Sequence, residues 1–147
     1  MRTGSLRSLT WGAAQFAFHE TSFLRGGSLA SIRAMKNVVL LGSTGSIGTS
    51  TIKVAEDVPD HIRLVGLAAG NNVDLLIDQA RKHKPLAVSI SDPAKVAEIK
   101  SKLGSEARVL SGNDGLVQLA TMPEADIVLI AIVGTAGLQP ALAAIRA

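Results

Sequence analysis

Four aliphatic residues, Val38-Val39-Leu40-Leu41, run directly into Gly42-Ser43-Thr44-Gly45-Ser46-Ile47-Gly48. An apolar run this short, stopped by glycine, reads as a buried strand. From Ser46 to about Asp57 the pattern becomes helical, with Ile47, Thr51, Val54, Ala55 and Val58 expected on the inward face, and Pro59-Asp60 ends it. A strand, a G-x-x-G-x-x-G turn and a helix in that order admit few folds. Gly42 permits the tight turn, Gly45 lets backbone approach a pyrophosphate, and Gly48 lets the helix pack closely on the strand. The free N–H groups of the first helical turn then face the phosphates, and the helix dipole favours their charge. Ser43, Thr44 and Ser46 are expected to add hydroxyl donors. A glycine turn made only for packing would need neither three glycines nor three hydroxyls, so the turn is read as a dinucleotide site.

The rest of the chain repeats the alternation. Ile62 to Ala69 reads as a second strand, and Val73, Leu76, Ile77 and Ala80 as the inward face of a second helix closed by Pro85. Leu86 to Ile90 is a third strand, and Asp92-Pro93 opens a helix that turns Val96, Ile99 and Leu103 inward and ends at Gly104. Arg108 to Leu110 predicts a short strand and Leu116, Leu119 and Ala120 a short helix. Ile127 to Val133 reads as the strongest strand, and Leu138, Ala141, Leu142 and Ile145 begin a last helix with Pro140 in its first turn. This order predicts an α/β fold of the Rossmann type: a doubly wound parallel sheet in a three-layer α/β/α arrangement. The last helix has no glycine cap or stop signal, so the sequence reads as cut off there.

The end of the second strand bears on which dinucleotide. Enzymes that use NAD usually place Asp or Glu there to hold the ribose 2′-hydroxyl. This chain has Ala68-Ala69-Gly70-Asn71-Asn72, with no carboxylate to repel a 2′-phosphate. Gly70 allows close approach, and Asn71 and Asn72 offer amides and backbone N–H groups, so NADPH is the expected cofactor. Asn72 also reads as a helix N-cap, and Asp74 as a complement to the helix dipole. Ala131-Ile132-Val133-Gly134-Thr135-Ala136-Gly137-Leu138 leaves the last strand, turns into the last helix and faces the cofactor across the switch point, where small residues make room for its ribose and nicotinamide end.

Composition narrows the alternatives. Aliphatic residues dominate the 47% hydrophobic fraction, and aromatics make up only 3%, which suits parallel strands covered on both faces. The net charge of +3 belongs entirely to residues 1–34, which hold four arginines and one glutamate. The remainder is neutral and has no overall basic character for nucleic acid. There is no cysteine, and the longest apolar run, Ile127 to Val133, is far too short to span a bilayer. His61 and His83 read as solvated, Lys95, Lys100 and Lys102 as a solvated helix face, and no metal-ligand spacing or acid–base pair occurs.

Residues 1–35 read as a disordered leader or an over-long extension, with Met35 as the alternative start, and 36–147 as the NADPH-binding domain. An Arg- and Ser-rich, acid-poor leader also fits a transit peptide, whereas a secretory signal on Trp11 to Phe18 fits poorly. The expected location is cytoplasmic, or plastid if the leader is a transit peptide.

Taken together, the motifs resemble one family. Lys36 to Leu41 with Gly42 to Gly48 is similar to the start of 1-deoxy-D-xylulose 5-phosphate reductoisomerase. Leu67 to Val73, Gln79 to Pro85, and Ala131 to Leu138 with Gln139-Pro140 and Ala143-Ala144-Ile145 resemble further segments of it. The resemblance covers Met35 to Ala147. It implies NADPH bound by Thr44, Gly45, Ser46 and Ile47 and at Gly70, Asn71 and Asn72; some members carry a basic residue where Asn71 stands. It implies isomerisation of a sugar phosphate and its NADPH-dependent reduction to 2-C-methyl-D-erythritol 4-phosphate, in non-mevalonate isoprenoid synthesis. A divalent metal, Mg or Mn, and a homodimer are implied for the full-length enzyme, with metal carboxylates and catalytic residues beyond this sequence. The amino-terminal piece alone is then expected to be inactive. A stand-alone NADPH-sensing module and another NADPH-dependent reductase, of the semialdehyde dehydrogenase or dihydrodipicolinate type, remain open as alternatives.

Overall fold

The computed structural model describes residues 35–147; the leader readings for the residues before them lie outside the described part. Five strands form one parallel sheet: β1 (Lys36–Leu41), β2 (Ile62–Ala69), β3 (Ala87–Ile90), β4 (Arg108–Ser111) and β5 (Ile127–Ile130), in the order β4-β3-β2-β1-β5. From β1 the chain steps outward to β4, then returns across the sheet to lay β5 on the other side of β1. The reversal opens a crevice at the carboxyl ends of the strands, where doubly wound sheets bind their ligands.

The helices divide by face. The helices α1 (Ser46–Asp57), α2 (Val73–His83) and α3 (Val96–Leu103) cover one side, through Ile52, Ala55, Leu76, Ile77, Ile99 and Leu103 against Val38, Leu40, Leu64 and Leu67. The other side is covered by α4 (Gly112–Ala120), with Leu116 and Leu119 against Val39, Leu41 and Val65, and by Ala144 of α5 (Leu138–Arg146). Neighbouring residues of β1 thus serve opposite cores, as a strand buried on both faces requires. In β2 the pairing skips Val65, since Val38 pairs with Leu64 but Val39 with Gly66. This bulge turns Val65 and Gly66 to the same face, and the missing side chain lets Leu119 of α4 come within 3.1 Å of where a Cβ would stand.

The α2 reading holds, with Val73, Leu76, Ile77 and Ala80 all buried. Leu76 is fully enclosed. Leu76→Ala should lower unfolding free energy by about 2–5 kcal/mol in urea titrations, since the cavity it leaves cannot fully collapse; a loss below about 1 kcal/mol would mean that α2 does not seal this core.

Three expectations need correction. The inward face of α1 is Gly48, Ile52 and Ala55; Ile47 and Val54 are 63% and 52% exposed, and Val58 also faces outward. Gly48 sets the orientation by its close approach to the turn, and Ile52 and Ala55 follow it inward on the same face. The last strand is Ile127–Ile130, not Ile127 to Val133, and its residues are only partly covered. Among the described residues β5 pairs with β1 alone, so its far edge has no neighbour to extend the ladder. Leu86 likewise falls outside β3 and is exposed. The third helix is preceded by a 3-10 turn, Pro93–Lys95, which Asp92 caps by accepting from the Ala94 N–H.

Candidate dinucleotide site

Each glycine of the turn has its own physical reason. Gly42 takes φ +94°, and a Cβ there would lie 2.5 Å from the Ala131 carbonyl oxygen, so the turn is pressed against the chain leaving β5. At Gly48 a Cβ would collide with the Gly42 carbonyl oxygen and with the backbone of Ser43. Gly45 differs. It is the N-cap of α1, with φ −80° and ψ 173°, and a Cβ there would meet nothing closer than the Gly42 oxygen at 3.6 Å. Nothing among the described residues requires glycine at this exposed position, and the space it leaves open lies on the outside of the turn.

Backbone donors surround that space. The Gly42 and Ser43 N–H groups both donate to the Ala68 carbonyl at 2.8 Å, and the Gly45 N–H donates to Gly42. Among the described residues no backbone or side-chain acceptor meets the N–H groups of Thr44, Ser46, Ile47 or Gly48. Four bare donors at the positive end of a twelve-residue helix have the chemistry to receive an anion. Ser46 and Ile47 are exposed and Thr44 is half-buried beside them, but Ser43 is fully buried. Its hydroxyl points inward and is no ligand donor, contrary to the expectation from the sequence; its fixed backbone in the tight turn leaves the side chain on the core side.

The second segment lies at the end of β2. Gly70, Asn71 and Asn72 are all exposed there. Asn72 caps α2, accepting from the Leu75 N–H at 3.1 Å, which leaves its amide nitrogen free to donate outward. Asp74 extends into solvent and pairs with Lys102 at 3.2 Å. The hydrogen bonds to Glu98 and Asp74 hold the Lys102 ammonium above its ordinary range. The carboxylate two residues past Asn72 therefore already has a cationic partner.

Between the two segments is a cavity of about 160 Å³. Gly42, Ala69, Gly70 and Ile132 line it, together with Ser91, Gly112, Asn113 and Leu116. Ser91, Gly112 and Asn113 were not picked out from the sequence, and Leu116 was read there only as part of a helix pattern, not of the site. Each follows the carboxyl end of β3 or β4, and that position, once the strand order is known, is the signal that marks them. Ala131 abuts Gly42 as described, and its N–H donates to Leu41. Gly134 takes φ +84° and is exposed, outside the cavity wall.

A sequence model of the 1-deoxy-D-xylulose 5-phosphate reductoisomerase family matches residues 38–147. The chain belongs to this family. The reductoisomerase of Synechococcus sp. (strain ATCC 27144) is 49% identical over 116 residues, and that of Acaryochloris marina 43% over 116 residues. Each alignment takes in 77% of this chain but only 29% of the relative, so the chain spans under a third of their length. Among solved structures, the Zymomonas mobilis reductoisomerase in complex with NADPH superposes with a TM-score of 0.72 at 39% identity, covering 77% of this chain and 30% of that one. A reductoisomerase in complex with NADPH, fosmidomycin and magnesium also gives 0.72, at 35% identity, covering 75% and 28%. The Rossmann-type architecture is thus shared with reductoisomerases that bind NADPH.

Reductoisomerases have also been seen with magnesium. In this chain no group of three or more His, Asp or Glu residues among those described is placed to hold a metal ion, so no chemistry through a metal is assigned to them. His61 is exposed as expected. His83 is not solvated: its side chain is only 14% exposed and lies 3.2 Å from Glu56, which also pairs with Lys82 at 2.8 Å. The Lys82 hydrogen bond holds the Glu56 carboxyl below its ordinary range. This cluster joins the carboxyl ends of α1 and α2, away from the glycine turn. No helix among the described residues is long and apolar enough to cross a membrane.

Proposed function

We propose that residues 36–147 are the NADPH-binding domain of a 1-deoxy-D-xylulose 5-phosphate reductoisomerase. The observation that carries this reading is the group of four unpartnered N–H donors around a glycine that only a ligand would require. In this reading the pyrophosphate lies against Thr44, Gly45, Ser46 and Ile47, with Gly42 and Gly48 shaping the turn. The adenine enters the apolar cavity beside Gly70, Asn113 and Leu116, and the 2′-phosphate meets the amides of Asn71 and Asn72. The ribose and nicotinamide end runs past Ala131 toward Gly134.

The domain would present the reduced ring to a sugar phosphate held by further protein, in the NADPH-dependent formation of 2-C-methyl-D-erythritol 4-phosphate for isoprenoid synthesis. NADPH supplies the hydride; the described residues bind and orient it but offer no acid–base pair or metal cluster for the isomerisation, so the domain alone binds without turnover. The surface agrees with a partner half: Val133, Leu138, Leu142 and Ile145 are 96%, 60%, 43% and 82% exposed, an apolar patch uncommon on a self-sufficient domain. A homodimeric full-length enzyme acting on small molecules, in the cytoplasm or a plastid and without nucleic acid or membrane as partner, completes the proposal.

Titration of the purified chain with NADPH and NADH, followed by nicotinamide fluorescence, tests the cofactor assignment. NADPH should bind at least about tenfold more tightly, a difference of about 1.4 kcal/mol from the 2′-phosphate. Equal affinities would contradict a phosphate site at Asn71 and Asn72.

A further inference from the structure

One polar side chain in the α1–α3 core has no place in a plain hydrophobic layer. Gln79 lies on the inward face of α2, next to Leu76, Ile77 and Ala80, and is 7% exposed. Its Nε2 donates to the Ser43 carbonyl across the core at 3.1 Å. The acceptor is a carbonyl, so the atom facing it must be the amide nitrogen. Among the described residues the other amide atom, Oε1, is buried with no partner, as is the Ser43 hydroxyl. Leucine or methionine would fill the same space but would strand the buried Ser43 carbonyl, which among the described residues has no other partner, and an unpaired buried acceptor is costly. The single bond that Gln79 makes must therefore do more than complete the packing.

We infer that Gln79 is the positioning residue of the phosphate-binding turn. A trans peptide directs its C=O and N–H to opposite sides. The Ser43 carbonyl belongs to the same peptide plane as the Thr44 N–H. Holding that carbonyl toward α2 fixes the Thr44 N–H outward, onto the face where Ser46 and Ile47 also present bare donors. The Gly42 and Ser43 N–H groups are tied to Ala68 on the near side, so the turn is gripped by β2 before the kink and by α2 after it. Preset donors bind an anion without spending affinity on ordering the turn. The contact also joins the two halves of the site, since α2 begins at the Asn72 cap. Gln79 never touches the dinucleotide in this arrangement; it acts through Ser43.

This inference rests on the phosphate-binding reading of the turn, and the experiment separates the two. In Gln79→Met the chain length is kept and the donor removed. Affinity for NADPH, NADH and ADP should fall together by roughly tenfold, the size expected for one lost hydrogen bond. The NADPH-to-NADH ratio should be unchanged, and the melting midpoint of the ligand-free chain should move by only a few degrees. Damage to packing alone would shift the midpoint and leave affinity, measured well below it, as in the parent. NADPH affinity within twofold of the parent overturns the role of Gln79. If Gly45→Val is also without effect, the phosphate reading itself fails; if Gly45→Val abolishes binding while Gln79→Met does not, only the positioning role fails. Should Gln79→Met not fold, the parent chain carries the test: the Thr44 amide resonance must shift when NADP⁺ binds, and an unmoved resonance overturns the inference.

Discussion

Gly45→Val should cost the chain its dinucleotide and leave the fold nearly intact. The position already has extended backbone angles that valine accepts, and the new Cβ would meet only the Gly42 carbonyl oxygen at a comfortable 3.6 Å. Valine is a poorer N-cap than glycine, so about 0.5–1 kcal/mol of stability is expected to go. The two added methyls stand where a phosphate must come within hydrogen-bonding distance of the Thr44 and Ser46 N–H groups. NADPH affinity should drop at least about a hundredfold, or about 2.7 kcal/mol, in a fluorescence titration. Retained binding with an unchanged melt would sink the phosphate reading.

Gly48→Ala should do the reverse. The added methyl runs into backbone atoms of Gly42 and Ser43, and backbone cannot rotate aside as a side chain can. The helix must lift from the turn, and Ile52 and Ala55, which dock it on the sheet, lift with it. A loss of about 3 kcal/mol in urea unfolding is expected, at the upper end for a single overpacked methyl. A variant that melts with the parent would show that α1 is not held where the structure puts it. The pair of substitutions, three residues apart, thus separates a glycine kept for a ligand from one kept for packing.

Much of this was legible in the sequence because the signals were local. The strand–turn–helix order, the alternation that follows, and the inward face of α2 depend on neighbours within one or two turns. The absence of a carboxylate after β2 is likewise a local fact. What failed involved distance. Hydrophobic size pointed Ile47 and Val54 inward, but the inward side of α1 is decided by how closely Gly48 approaches a turn six residues earlier. The apolar run after Asp126 overstated β5, because strand length is set by a partner's ladder and β1 supplies only four pairs. Ser91, Gly112 and Asn113 enter the cavity through strand order alone. The Gln79–Ser43 bond spans 36 residues, and its acceptor is a backbone group with no letter of its own.

Neither the 42–48 turn nor the 68–72 segment contains a lysine or an arginine. A polyanion captured here would be gripped by peptide and amide dipoles whose field fades within a few ångströms. Such a site does little to draw its ligand through bulk solvent, and dissolved salt has little to screen once the ligand is seated. Recognition would be decided at touching range, by fit, and ought to survive changes in ionic strength that would loosen a lysine-lined pocket.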